Sequence, residues 1–113
     1  MTDIIIQEVI EHCRVTIQQL RSDNRAQALV KARHLIFYFM REYTTLSTTE
    51  IGAFLFRDHA TVIHGSKSVK NQLRLYWDFR KEILPLESRI KELMQSHIAV
   101  NEEVYMENDF YTN

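Results

Sequence analysis

The residues best placed to do chemistry stand in one run, Arg57-Asp58-His59-Ala60-Thr61. Small, polar and charged side chains at the start of a helix leave room to enter a nucleic-acid groove, where bulky apolar residues would block entry. Other chemistry fits the chain poorly. His59 and His64 are five residues apart, a poor helical spacing for two ligands of one metal. Five histidines are scattered along the chain, and no Ser-His-Asp set or carboxylate pair stands out. No catalysis, metal, cofactor or small-molecule substrate is expected. Cys13 falls in an apolar stripe and reads as a small core residue, not a nucleophile.

The elements that must position the run follow from capping and periodicity. Asp58 is a good N-cap, so a helix should open at Arg57-Asp58 and continue to about Ile83. Val62, Val69 and Leu73 form its narrow apolar stripe, with Gly65 and Ser66 on the same side. Ala60, His64, Lys67 and Asn71 fall on the opposite side, which is polar, small and basic. Upstream, Ser47-Thr48-Thr49-Glu50 reads as a capping box that opens a short helix to about Leu55. A short capped helix, a tight connection and a second helix exposing small and basic residues make a helix-turn-helix. The N-terminal residues of its second helix reach base edges in the major groove.

Around this pair, Ile6, Val9, Ile10, Cys13, Ile17 and Leu20 predict one amphipathic helix over Asp3 to Leu20. A second should run from about Ala26 to Tyr43, with Lys31, Arg33, His34 and Arg41 outside or at the edge of its buried stripe. Pro85 should end the long helix or start a fifth one reaching about Ser96. Tyr76 and Trp77 read as core or interhelical packing, with a base-stacking platform as the alternative. The expected fold is all-α, about five helices. Residues 1–22 form an N-terminal amphipathic helix, 23–96 the helix-turn-helix domain, and 97–113 an acidic tail read as frayed. A partner-binding acidic-aromatic segment is the sharper reading of that tail.

Composition agrees with one helical domain. The 113 residues are 45% hydrophobic with only two glycines and one proline. One cysteine excludes an internal disulfide framework and points to a reducing, cytoplasmic setting. No apolar run is long enough to span a membrane. The net charge of -1 conceals polarity: thirteen Lys/Arg face seven Asp/Glu between Arg21 and Lys91, whereas five acids and no Lys or Arg follow from Glu92 onward.

Three stretches together resemble a known family. They are Ala32-Arg33-His34-Leu35-Ile36-Phe37-Tyr38-Phe39-Met40-Arg41-Glu42, Glu50-Ile51-Gly52, and Arg57-Asp58-His59-Ala60-Thr61-Val62-Ile63-His64-Gly65. They are similar to the C-terminal DNA-binding domain of the bacterial replication initiator DnaA, over about Asp23 to Leu75. The resemblance implies a Trp-repressor-like helical fold and sequence-preferring binding of double-stranded DNA. It does not extend to an ATPase module, and no Walker-type loop is present. A stand-alone relative, bacterial or from a phage or mobile element, would sit at the nucleoid and bear on replication initiation or transcription.

By that resemblance Arg25 enters the minor groove, and Arg57, Asp58, His59, Ala60 and Thr61 face bases or the nearby backbone. Arg33, His34, Arg41, His64 and Lys67 hold phosphates. Three departures are visible. The family has glycine, often two, before the Arg-Asp-His triplet, where this chain has Phe56. The family has Thr or Ser at Ala60 and commonly Gln at His34. A rival reading keeps the scaffold but gives it a protein partner instead of DNA, and the N-terminal helix is a candidate homodimer surface.

Overall fold

The computed structural model describes the backbone of residues 1–111 and the side chains of residues 1–97. Six helices follow one another: α1 (Thr2–Cys13), α2 (Ile17–Arg21), α3 (Gln27–Tyr43), α4 (Thr48–Ala53), α5 (His59–Leu75) and α6 (Trp77–Tyr111). There is no strand among the described residues.

The expected first helix is broken in two. Arg14 takes a left-handed conformation, φ 56°, and its N–H caps Ile10 O. Thr16 then opens α2: its hydroxyl accepts from the Gln19 N–H at 3.1 Å, while Gln19 Oε1 accepts from the Thr16 N–H at 2.9 Å. This reciprocal cap is locally stronger than the apolar period that runs through it.

α3 is the central helix. It packs on α1, α2, α4 and α5, so burial spreads well beyond one stripe to include Leu35, Phe37 and Arg33. Phe37, Phe39, Leu35 and Ile36 are wholly buried, each contributing about 1.5–3 kcal/mol of transfer free energy. α1 supplies Ile5 and Val9 to the same core. Ile4, Ile6 and Ile10 of the same helix pack against that core but are only partly buried.

The expected helix from Asp58 to Ile83 also divides. It ends at Leu75, and Tyr76 is extended (φ -118°, ψ 114°) before α6 begins. Pro85 neither ends nor starts a helix; it lies inside α6, on an exposed face. The carbonyl four residues earlier, which proline leaves without a donor, belongs to Lys81, also exposed and open to solvent. α6 returns along α1 and α5 and is clamped there by polar contacts. Glu87 accepts from Tyr43 Oη at 2.7 Å and Tyr38 Oη at 3.3 Å. Burial, then the Glu87 charge, push the Tyr38 phenol up to about 12. Glu82 pairs with Lys31 at 2.6 Å and His12 at 2.8 Å, and Arg89 with Glu8 at 2.7 Å.

The α6 backbone continues to Tyr111. The side chains of Tyr105, Phe110 and Tyr111, on which the partner-binding reading of the tail rests, lie outside the described residues. No described helix is long and apolar enough to cross a membrane. Cys13 is half-buried against the core, and burial pushes its thiol pKa up, which suits a packing residue.

Candidate nucleic-acid interface

α4 and α5 form the expected helix-turn-helix. Ser47 caps α4, its hydroxyl accepting from the Glu50 N–H at 3.1 Å while Glu50 Oε1 accepts from the Ser47 N–H at 3.1 Å. The chain then turns on Gly52, whose carbonyl accepts from Leu55 N–H at 3.0 Å and Arg57 N–H at 2.9 Å. Gly52 is needed for close approach: a Cβ there would run into the carbonyl oxygen of Arg57, with Arg57 C at 3.1 Å and Asp58 O at 3.2 Å.

The turn is built without the family's glycine at considerable local cost. Phe56 adopts φ 57°, the left-handed region that disfavours side chains. It is 69% exposed, and the Arg21 guanidinium lies over its ring at 5.0 Å. Phe56→Gly should therefore leave stability within about 0.5 kcal/mol, because relief of backbone strain offsets the lost cation–π contact. Phe56→Ile should cost about 1–2 kcal/mol, because a β-branched residue is poorest in this region. Urea unfolding of the two variants separates these outcomes.

Asp58 caps α5. Its Oδ1 accepts from the Thr61 N–H at 2.9 Å and from Thr61 Oγ1 at 2.8 Å. Both bonds hold the carboxyl below its usual range. Asp58, His59 and Ala60 are exposed at the start of the helix, and Thr61 is half-buried with its hydroxyl committed. Further along, His64, Lys67 and Asn71 are exposed, while Val62, Gly65, Ser66 and Val69 are buried. The outward face is the one the wheel predicts.

The α2–α3 loop is ordered by its own side chains. Ser22 Oγ donates to Gln19 O at 2.6 Å and accepts from Asn24 N–H at 3.2 Å; Asn24 Oδ1 accepts from Ala26 N–H at 2.9 Å. Arg25 projects from this loop and is exposed.

Two arginines behave differently from expectation. Arg33, expected on an outer edge as a phosphate holder, is only 5% exposed. Its Nε donates to Leu20 O at 2.8 Å, and its Nη2 to Gln19 O at 3.1 Å and Ser22 O at 3.0 Å. It adds a buried donor to carbonyls at and just beyond the end of α2. Burial, then the neighbouring Arg57 charge, lower its pKa without discharging it. Arg57 is half-buried; Nη2 donates to Ser22 O at 2.5 Å and Nη1 to Leu55 O at 2.8 Å. Both guanidiniums thus meet at Ser22 O. The periodicity of α3 gave no sign of this, because a long arginine can bury its stem on a helix surrounded by others.

The remaining expected residues gather around two hollows. A cleft of about 620 Å³ is lined by Arg25, His34, Thr61 and His64, with Arg33 and Arg57 behind them. His34 is half-buried at the α3–α5 crossing, its ring edge-on to His64 at 6.0 Å. Burial, then His64 and Arg33, hold its pKa down. A smaller hollow of about 290 Å³ is flanked by Arg41, Lys67 and Lys70. There Arg41 Nη1 donates to Ser66 Oγ at 2.8 Å. Lys70 is the residue that sequence reasoning left out of the site; its spacing of three from Lys67 on a helix was the available signal.

Comparison with known proteins agrees with this geometry. The family model described as bacterial dnaA protein helix-turn-helix matches residues 2–69, a stretch that takes in α1 and α2 as well as the helix-turn-helix. The chromosomal replication initiator protein DnaA of Bacteroides thetaiotaomicron is 35% identical over 91 residues, 80% of this chain and 19% of that protein. The DnaA of Thermomicrobium roseum is 34% identical over 98 residues, 86% of this chain and 21% of that protein. That of Lachnoclostridium phytofermentans is 35% identical over 82 residues, covering 72% and 18%. The chain spans about a fifth of the length of the curated relatives it matches.

Proposed function

The chain belongs to the bacterial DnaA helix-turn-helix family, and from that premise we propose that it binds double-stranded DNA with sequence preference. The observation that carries this reading is the exposed N-terminal face of α5. Asp58, His59 and Ala60 lead it, His64 and Lys67 continue it, and no exposed position of α5 before Leu75 carries a bulky apolar side chain. His59 and Ala60 contact base edges. Both Thr61 bonds end on Asp58 Oδ1, which leaves Oδ2 to accept from a cytosine amino group. Arg25 enters the adjacent minor groove from the loop before α3.

Phosphates are held by Arg41, His64 and Lys67, joined by Lys70, with His34 at the floor of the cleft between loop and helix. Such contacts orient the duplex without reading it. Arg33 and Arg57 act as positioning residues: they fix the loop and the turn that carry Arg25 and His59. Control of replication initiation or of transcription at DnaA-type sites is the setting this binding suits, whether the source is bacterial or a mobile element. The dominance of Lys and Arg between residues 21 and 91 supports a polyanionic partner despite the net charge of -1.

The test is fluorescence anisotropy with a labelled duplex carrying a DnaA box against a scrambled duplex. If Arg41, Lys67 and Lys70 neutralise about three phosphates, affinity should fall roughly 40-fold between about 50 and 200 mM salt. Arg25→Ala and His59→Ala should each weaken box binding roughly tenfold while circular dichroism stays unchanged. Lys67→Ala should weaken box and scrambled duplexes alike and make the salt slope shallower by about one. Wild-type binding by both Arg25→Ala and His59→Ala would overturn the site assignment. No binding at either salt would overturn the DNA reading in favour of a protein partner.

A further inference from the structure

The core does not use the aromatic residues at the α5–α6 junction. Tyr76 and Trp77, expected as packing residues, are 59% and 66% exposed, and Leu75 beside them is 61% exposed. The division between α5 and α6 is the reason: Tyr76 is extended, so neither residue continues the buried stripe of a single long helix. On α6, Trp77, Lys81 and Leu84 recur at a spacing of four and then three, one helical face. That face is exposed at all three positions. Cations flank the rings along the chain: Arg74 and Lys81 are exposed, and Arg80 is half-buried with Nη2 donating to Arg74 O at 3.4 Å. Asp78 is the only acid between Arg74 and Lys81.

We propose that this junction binds single-stranded nucleic acid. Two adjacent exposed aromatic rings offer stacking faces, and the flanking Arg74 and Lys81 supply charge for a phosphate backbone. That combination holds unpaired strands without reading their sequence. A duplex cannot use the rings, because its bases are already stacked on one another. A purely aliphatic protein partner would have no use for the cations. The site is separate from the recognition face: the 17 residues of α5 from His59 to Leu75 put it about 24 Å away along the helix axis. Its occupation does not depend on the duplex reading above.

Trp77 is the only tryptophan in the chain, so its emission reports on this site alone. Titration of the full chain with an unlabelled oligo(dT) of about twelve nucleotides should quench that emission in low salt. The quench should weaken as salt rises. Tyr76→Ala, which keeps the reporter, should weaken the titration roughly tenfold and leave duplex anisotropy unchanged. Arg25→Ala and His59→Ala should leave the quench unchanged, so failure of either site is separable from failure of the other. Unaltered emission at saturating oligonucleotide would overturn the proposal, as would equal oligonucleotide affinity for Tyr76→Ala and wild type. A shift in emission with protein concentration alone would overturn it too, by showing that a second copy of the chain covers the rings.

Discussion

Replacing Arg33 with alanine should destabilise the protein by about 3 kcal/mol, more than any change on the DNA-facing surface. Its guanidinium bonds three backbone carbonyls, Gln19 O, Leu20 O and Ser22 O, from a position only 5% exposed. Truncation takes the side-chain donor from Leu20 O, at a cost of about 1–3 kcal/mol for a buried group that stays unpaired, while Gln19 O keeps Ser22 Oγ and Ser22 O keeps Arg57. It also opens a void beneath α2. Arg33→Lys should recover less than half of the loss, since an ammonium is a single donor site that cannot span carbonyls arranged for a fork. Thermal unfolding followed by circular dichroism should show a drop of roughly 10 °C for the alanine variant. An unchanged melting temperature would show that the α2 carbonyls do not need the arginine. Duplex binding should fall even where the variant remains folded, because the loop bearing Arg25 loses its anchor. A surface phosphate contact would instead alter binding and salt slope with no effect on melting.

Gly52→Ala should damage both the fold and DNA binding. Glycine to alanine inside a helix normally gains about 1 kcal/mol. Here the sign reverses, because the added methyl meets the carbonyl oxygen of Arg57 and the backbone of Arg57 and Asp58, not the movable end of a side chain. α4 must separate from the turn, breaking the bonds that Gly52 O accepts from Leu55 and Arg57. Overpacking of this kind costs about 1–3 kcal/mol, so a net loss of about 2 kcal/mol is expected. The displaced turn carries Asp58 and His59 with it. Box affinity should therefore drop at least roughly tenfold at temperatures where the variant is still folded. Calorimetry and anisotropy on one preparation check both effects. A stable variant with wild-type binding would contradict the close approach at this turn.

What could be read from the sequence was whatever depends on neighbours within one helical turn. The Ser47–Glu50 capping box, the Asp58 cap and the outward face through Ala60, His64 and Lys67 all involve residues three or four apart, and each was found where expected. The all-helical class and the family were legible too, the latter from the Arg57–Val62 run. What escaped depends on competition or on distant partners. Thr16-x-x-Gln19 is itself a capping signal, but an apolar stripe passes through it and suggested one helix. The break at Tyr76 has no glycine or proline to announce it. The inward turn of Arg33 is decided by carbonyls eleven to fourteen residues away, which no helical period encodes. The left-handed Phe56 was anticipated only as a missing glycine; that the turn keeps its form and strains the residue needed the backbone itself.

Ser22 O receives both Arg33 and Arg57, and through that atom the loop that carries Arg25 and the opening of α5 share one anchor. The pair works as a caliper with fixed jaws. Arg25 on one jaw and His59 on the other are set at a separation that, on the proposed DNA-binding reading, the duplex must match. Moving their two contact steps apart by one base pair adds about 3.4 Å of rise and about a tenth of a turn. The anchored jaws cannot follow that change without giving up a guanidinium bond. An inserted base pair should therefore be tolerated worse than a mismatch under either jaw alone.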